Sequence, residues 1–359
     1  MREVRWERMY PDELEAAFAE RPLVYFPYGL CEPHGPQCTV GLDALKAHAI
    51  AVRAAREHGG IVAPPDYWHV HEIGGYAVWA SQKVGEVDRT WTTSMPPWQH
   101  FRNVLYHVRT ADRLGFHAAI FLTGHYGPNW KDLKTLLELA QPMTRTVLYG
   151  LPDWEANTPG FDRDGTSGGD HAGKVETSLL AALEPDCVDL SRLPAGGDAT
   201  QGGGSGNGGA SRGDGTPGAG NATPGRGDAA TANPGGDGAS RTGNADPGPA
   251  FLTRPPFFAM GEDAYASSRR EGERMVADEV RFLGETAAEL LASYDADADR
   301  PGFPTFASVE RFWSAEVEPR LMEFASMQAD FGRGTEMTEG SRWRENSEIP
   351  APGEWRAWG

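Results

Sequence analysis

The sequence predicts an α/β protein with a mostly parallel central sheet covered by helices on both faces. In the first 184 residues, short apolar runs of strand character alternate with helix-length amphipathic segments, an alternation that requires parallel strands buried on both sides. Two of those strands also run into polar loops in which a histidine stands near glycines. In parallel sheets of this kind, binding and chemistry collect in the loops at the carboxyl ends of the strands.

The elements follow in order. PDELEAAFAE (11–20) opens a helix, because Pro11 suits a first turn and Asp12 and Glu13 face the positive end of the helix dipole. PLVYF (22–26) is a strand. DALKAHAIAVRAAREHGG (43–60) is rich in alanine and straight side chains, closes on a glycine pair as a helix C-terminus does, and leads into the short strand IVAP. PPWQHFRNVLYHVRTADRLGF (96–116) carries Leu105, Val108, Ala111 and Leu114 at helical spacing and precedes the strand HAAIFLTG. NWKDLKTLLELAQ (129–141) and TRTVLYG (144–150) make a third helix–strand unit. A polar loop then becomes a helix near residues 173–183.

Beyond residue 193 the composition changes. Residues 194–250, rich in Gly, Ala, Asp and Pro, contain no aromatic and no Leu, Ile, Val or Met. Such a segment buries too little apolar area to offset its ordering entropy, and reads as a disordered insertion. Order returns in a long helix marked by Met275, Val276, Val280, Leu283, Ala287 and Leu290 or Leu291, which should pack back on the sheet. A further helix is expected over SVERFWSAEVEPRLMEFASMQADF (308–331), followed by a Trp-containing tail. The expected division is a domain made of 1–193 and 251–295, the insertion 194–250, and a C-terminal helical and aromatic extension 296–359.

A net charge of −18 over 359 residues disfavours nucleic acid, whose affinity comes from lysines and arginines that release counterions. Cys31, Cys38 and Cys187 form no C-x-x-C pair, so neither a disulfide framework nor a zinc knuckle is indicated, and a reducing, cytoplasmic setting fits. The N-terminus lacks a signal-peptide core, and no apolar run approaches the ~20 residues of a membrane span. A small-molecule substrate is the expected partner, with no membrane.

The loop YGLCEPHGPQCTVGLD (28–43) holds the first candidates. Glu32 and His34, two apart, project to one side of an extended chain, Gly35-Pro36 turns it, and Asp43 meets the start of the next helix. Read alone, Asp43 is equally a helix cap, Glu32 a solvated acid and His34 a polar loop residue. His125 follows the buried-type strand in GHYGPN. His171 and Glu176 can share a site if the histidine precedes the helix and the glutamate lies on its first turns. Two imidazoles and three carboxylates from Glu32, His34, Asp43, His125 and Glu176 suit Zn, Mn or Fe, and a bridging aspartate suits a pair of ions. His171 remains to move a proton.

Three motifs in this order resemble the creatininase family of metal hydrolases: G-x-x-E-x-H-G-P…D at Gly29, Glu32, His34, Gly35, Pro36 and Asp43; a G-H-Y…N loop at Gly124, His125, Tyr126 and Asn129; and H-A-G-x-x-E-T-S from His171 to Ser178. The resemblance implies a three-layer α/β/α fold, a homo-oligomer such as a hexamer, and two divalent metal ions bridged by Asp43. It also implies hydrolysis of an amide-like C–N bond, in a small cyclic amide or formamide, with His171 catalytic. Other activities within the resemblance are deformylation or peptide trimming in cofactor maturation; a metal-stabilised, non-catalytic scaffold is the reading from another class. Trp68, His69, His71 and Tyr126 fall where the family places substrate-facing loops, although an exposed loop or subunit contact would use the same residues. The chain departs from the pattern at Gly127, where some members carry a glutamate ligand, a role carried here to Glu176. It departs also at Thr123, at Leu42, and at Gln37 in place of a loop histidine, changes expected to bear on substrate.

Overall fold

Four strands build the central sheet of the computed structural model, which describes residues 2–71, 89–125, 129–153, 155–157, 171–193, 250–252 and 259–324. They are β1 (Leu23–Tyr28), β2 (Ile61–Val62), β5 (Ala118–Thr123) and β6 (Val147–Pro152), ordered β2-β1-β5-β6 and all parallel. Two-residue strands β3 (His69–Val70) and β4 (Ser94–Met95) pair in parallel beside it, and β7 (Ala250–Leu252) pairs antiparallel with β8 (Ala259–Gly261). Tyr126, residues 194–249 of the insertion and the tail from 325 lie outside the described residues.

The two-residue period of β1 and β5 sorts their side chains onto opposite faces. Val24, Phe26, Tyr28, Ala119 and Phe121 point to one apolar core, Leu23, Tyr25, Ala118, Ile120 and Leu122 to the other. The second core is closed by α2 (Leu42–His58), α5 (Lys174–Leu183) and α6 (Arg269–Ala292). The first is closed by α1 (Pro11–Glu20), α3 (Pro97–Leu114), α4 (Asn129–Ala140) and the chain from Phe303 to Phe324. Each fully buried Leu, Phe or Val in these layers contributes roughly 1.5–3 kcal/mol relative to exposure. The result is a three-layer α/β/α arrangement. In α6 the predicted stripe Met275, Val276, Val280, Leu283 and Ala287 is buried, whereas Leu114, last in the stripe of α3, is exposed where that helix ends at Gly115.

The C-terminal segment differs from the single helix expected over 308–331. An α-helix, α7 (Phe306–Phe312), passes into a π-helical turn at Trp313–Val317 and a 3-10 turn at Glu318–Glu323. Pro319 is the reason: it has no N–H for the carbonyl of residue 315, and its ring crowds that turn. Among the described residues no helix is long and apolar enough to cross a membrane, and the three cysteine thiols are free.

Candidate metal centre

Because β1, β5 and β6 are in register at Tyr28, Thr123 and Pro152, their outgoing loops converge on one point. After β1 the chain folds back so that the Glu32 amide donates to the Val40 carbonyl (2.8 Å). The His34 Nδ1–H donates to the Glu32 carbonyl (3.0 Å), which fixes the ring and turns Nε2 toward the carboxylates of Asp43 and Glu176. Asp43 is not a cap. The N-cap of α2 is Gly41, and Asp43, in the first turn, sets Oδ1 3.2 Å from His34 Nε2 and Oδ2 3.1 Å from His125 Nδ1. This first turn lies directly against the strand ends, since a β-carbon on Gly124 would stand 2.1 Å from the Asp43 carbonyl oxygen and one on Gly29 2.3 Å from the Ala44 amide.

His125 is held by its backbone. Thr123 Oγ1 accepts the His125 N–H (3.2 Å) and donates to the His125 carbonyl (3.0 Å). His69 supports it: its Nδ1 accepts the Val70 N–H (2.8 Å), so Nε2 carries the proton and donates to Thr123 Oγ1 at 3.2 Å. Glu32, almost fully buried, turns Oε1 toward His125 Nδ1 (3.2 Å) and Oε2 toward His71 Nε2 (3.4 Å). Glu176, on the first turn of α5, sets Oε2 3.6 Å from His34 Nε2, where it also accepts the Ala172 N–H (2.8 Å). Its Oε1 takes the Lys46 ammonium at 2.9 Å, and Lys46 lies 3.5 Å from Asp153. His171, in the turn before α5, donates from Nε2 to the Pro33 carbonyl (3.1 Å) and stacks on His34 with ring centroids 4.4 Å apart.

Burial opposes charge on both central imidazoles, but the carboxylates around them win. Burial lowers His34 while Asp43, Glu176 and Glu32 raise it, to about 9; burial lowers His125 while Glu32 and Asp43 raise it, to about 10. Burial would raise Glu32 and Asp43, yet His125 holds Glu32 well below the carboxylate range and His34 holds Asp43 below it. Lys46 would be lowered by burial and is instead raised by Asp153 and Glu176. His171 is lowered by burial and by His34 beside it.

Among the described residues, three sets of donors each gather within 4.8 Å: Glu32, Asp43 and His125; His34, Asp43 and Glu176; and Glu32, His34 and His171. Asp43 belongs to the first two, one oxygen facing each. Of the predicted site residues, Glu32, His34, Asp43, His125, His171 and Glu176 therefore come together, and His71 joins them through Glu32. His69 uses both nitrogens within the protein, Trp68 is about half exposed, and Tyr126 is outside the described residues. Gln37, expected to bear on substrate, is buried and donates from Nε2 to the Ala172 carbonyl (2.9 Å) and to Thr177 Oγ1 (3.2 Å). It ties the first loop to the turn that carries His171. Sequence reasoning passed over Lys46 and Asp153. The signal was a lysine one helical turn from Asp43 on the stripe of α2 that buries Ala47, Ile50 and Ala54.

Residues 7–286 match the creatininase family, described as creatinine amidohydrolase. No curated protein matches the chain. Among solved structures it resembles "Creatininase Mn" (22% identity, TM-score 0.51, 80% of this chain and 98% of that one). It also resembles a mutant creatininase of the "Zn-Zn type" (22%, 0.52, 80% and 98%) and a mutant creatininase complexed with creatine (21%, 0.51, 81% and 99%). At such identities the structural likeness establishes the fold, and the family match extends over most of the sequence. The chain belongs to the creatininase family of metal-dependent amidohydrolases, which act on C–N bonds.

Proposed function

We propose that the protein hydrolyses the C–N bond of a small cyclic amide or formamide at two divalent ions, Zn, Mn or Fe. Glu32, His34, Asp43, His125 and Glu176 would hold the ions, and His171 would move the proton. The observation that carries this reading is the division of Asp43, whose two oxygens lie 3.2 and 3.1 Å from two different imidazoles, each beside a second buried carboxylate. The donors fit: mixed imidazole and carboxylate sets suit these metals, and a shared carboxylate suits a pair. His34, Asp43 and Glu176 make one end, Glu32, Asp43 and His125 the other. Bound ions supply Lewis-acid charge and activate water at neutral pH.

The chain's own residues supply the rest. The His171 Nε2 proton is committed to the Pro33 carbonyl, so Nδ1 offers a lone pair, and burial keeps the ring neutral. It can take a proton and return it to the leaving nitrogen. The relatives complexed with creatine and with Mn or Zn support a small substrate and a divalent metal. The departures from the family pattern at Gly127 and Thr123 favour a substrate other than creatinine. In this reading the hydrolase unit comprises 1–193 and 251–295 and works as a homo-oligomer.

Metal analysis together with assays on cyclic ureas, formamides and short peptides tests it. Asp43→Ala should lose both ions. His171→Gln should keep two ions and lose roughly 10²–10⁴ in kcat. Binding of Zn, Mn or Fe no tighter in the wild type than in Asp43→Ala would refute the reading.

A further inference from the structure

Lys46 is a fully buried ammonium inside the candidate centre. It stands one turn along α2 from Asp43 and reaches across to α5, where it holds Glu176 Oε1 at 2.9 Å. Glu176 Oε2 is left on the side of His34, 3.6 Å from its Nε2, and already accepts the Ala172 N–H. At the other end, the side chains facing the two oxygens of Glu32 are imidazoles, His125 at 3.2 Å and His71 at 3.4 Å. An imidazole meets a metal ion as a neutral ligand, whereas an ammonium salt-bridged to carboxylates remains a cation and has no lone pair to offer.

We propose that Lys46 is a built-in competitor for the ion at the His34–Asp43–Glu176 end, leaving that ion a single oxygen of Glu176 and making it the weaker-held of the two. The proposal deepens the two-ion reading above and rests on it. It assigns Lys46 a positioning role, through Glu176, and makes occupancy of one end sensitive to metal supply. The physical cause is twofold: the ammonium draws charge from the carboxylate it holds, and it repels a divalent ion bound to the other oxygen.

The test is stepwise titration of metal-stripped full-length protein with Mn²⁺, followed by calorimetry and by competition with a chromogenic chelator. Because Lys46→Met alone would leave Asp153 without its 3.5 Å cation, the comparison is Lys46→Met/Asp153→Asn against Asp153→Asn. The wild type should bind two ions in unequal steps. Relative to Asp153→Asn, the double variant should tighten the weaker step at least about tenfold and leave the tighter step within about threefold. A weaker step that is unchanged or weakened overturns the role of Lys46 while the two-ion reading stands. A wild type that binds no ion overturns both. If the double variant does not fold, Glu176→Gln decides: it should delete the weaker step and keep the tighter one, and loss of the tighter step instead overturns the proposal.

Discussion

Gly124 and Gly29 set the position of Asp43 by lacking a side chain. A β-carbon at Gly124 would stand 2.1 Å from a backbone oxygen, and backbone cannot step aside as a flexible side chain does. Gly124→Ala should therefore push the first turn of α2 away from β5, separate Asp43 Oδ2 from His125, and weaken metal uptake at least tenfold; metal titration of the variant checks it. Much of this centre was legible because its information is local. Glu32 and His34 follow the two-residue period of an extended chain, and His125 and Glu176 sit where a strand ends and a helix begins. Lys46 was not legible for the opposite reason. A lysine in an alanine-rich helix ordinarily faces water, and its partner Glu176 is 130 residues away, so only the packing of α2 on α5 reveals it. The hydrogen bonds of Gln37 were hidden on similar grounds, since its partners Ala172 and Thr177 lie far along the chain.

Among the elements, the regular ones were readable from periodicity and the C-terminal segment was not. Strands β1, β5 and β6 and helices α1 to α6 carry apolar residues at the spacing of their own geometry. From Phe306 to Glu323 the chain changes helical type twice around Pro319, and no single period describes it. This segment lies beyond the family match at residue 286, yet Phe303, Val309, Phe312, Trp313, Val317, Leu321 and Phe324 join the core that packs on Phe26, Phe101 and Phe121. The Arg102 guanidinium lies 4.8 Å over the Trp313 ring, adding a cation–π contact. Trp313 is fully buried, and large-to-small changes at such positions cost about 3–5 kcal/mol. Trp313→Ala should lower the stability to urea by that amount, and removing residues 300–359 should expose the same apolar face. Retention of wild-type stability by either variant would mean that the segment is dispensable to the core.

For the molecule as a whole, a cluster of neutral histidines beneath the candidate metal centre makes a contribution to the acid response that a single substitution isolates. Burial lowers His100 to about 3 and His107 to about 4, and lowers His69 well below the ordinary 6.5. The His107 ring is stacked on Phe26 and its Nδ1 lies 2.6 Å from the Tyr28 hydroxyl, while His100 lies against His69 with centroids 3.9 Å apart. Because these folded values are depressed, the contribution to stability is complete above pH 6.5. As the pH falls below that, the unfolded chain takes up protons that the folded protein refuses, and stability declines until the folded values are reached. Other groups titrate in the same range: His34 and His125, raised by the carboxylates around them, gain stability as the pH falls through 6.5 and oppose the decline, as does Glu279, raised by burial, whereas His171 and, at lower pH, Glu32 and Asp43, all depressed, add to it. The contribution of one histidine is therefore best read as a difference between wild type and a variant that keeps those groups. At pH 5.5 a histidine with a folded value near 3 costs about 1.4 kcal/mol relative to pH 8, and His100 and His107 together cost about 3. Urea unfolding of wild type and His100→Asn at both pH values measures this. The wild type should lose about 1.4 kcal/mol more than the variant between pH 8 and pH 5.5, and equal losses would show that His100 takes up its proton in the folded protein.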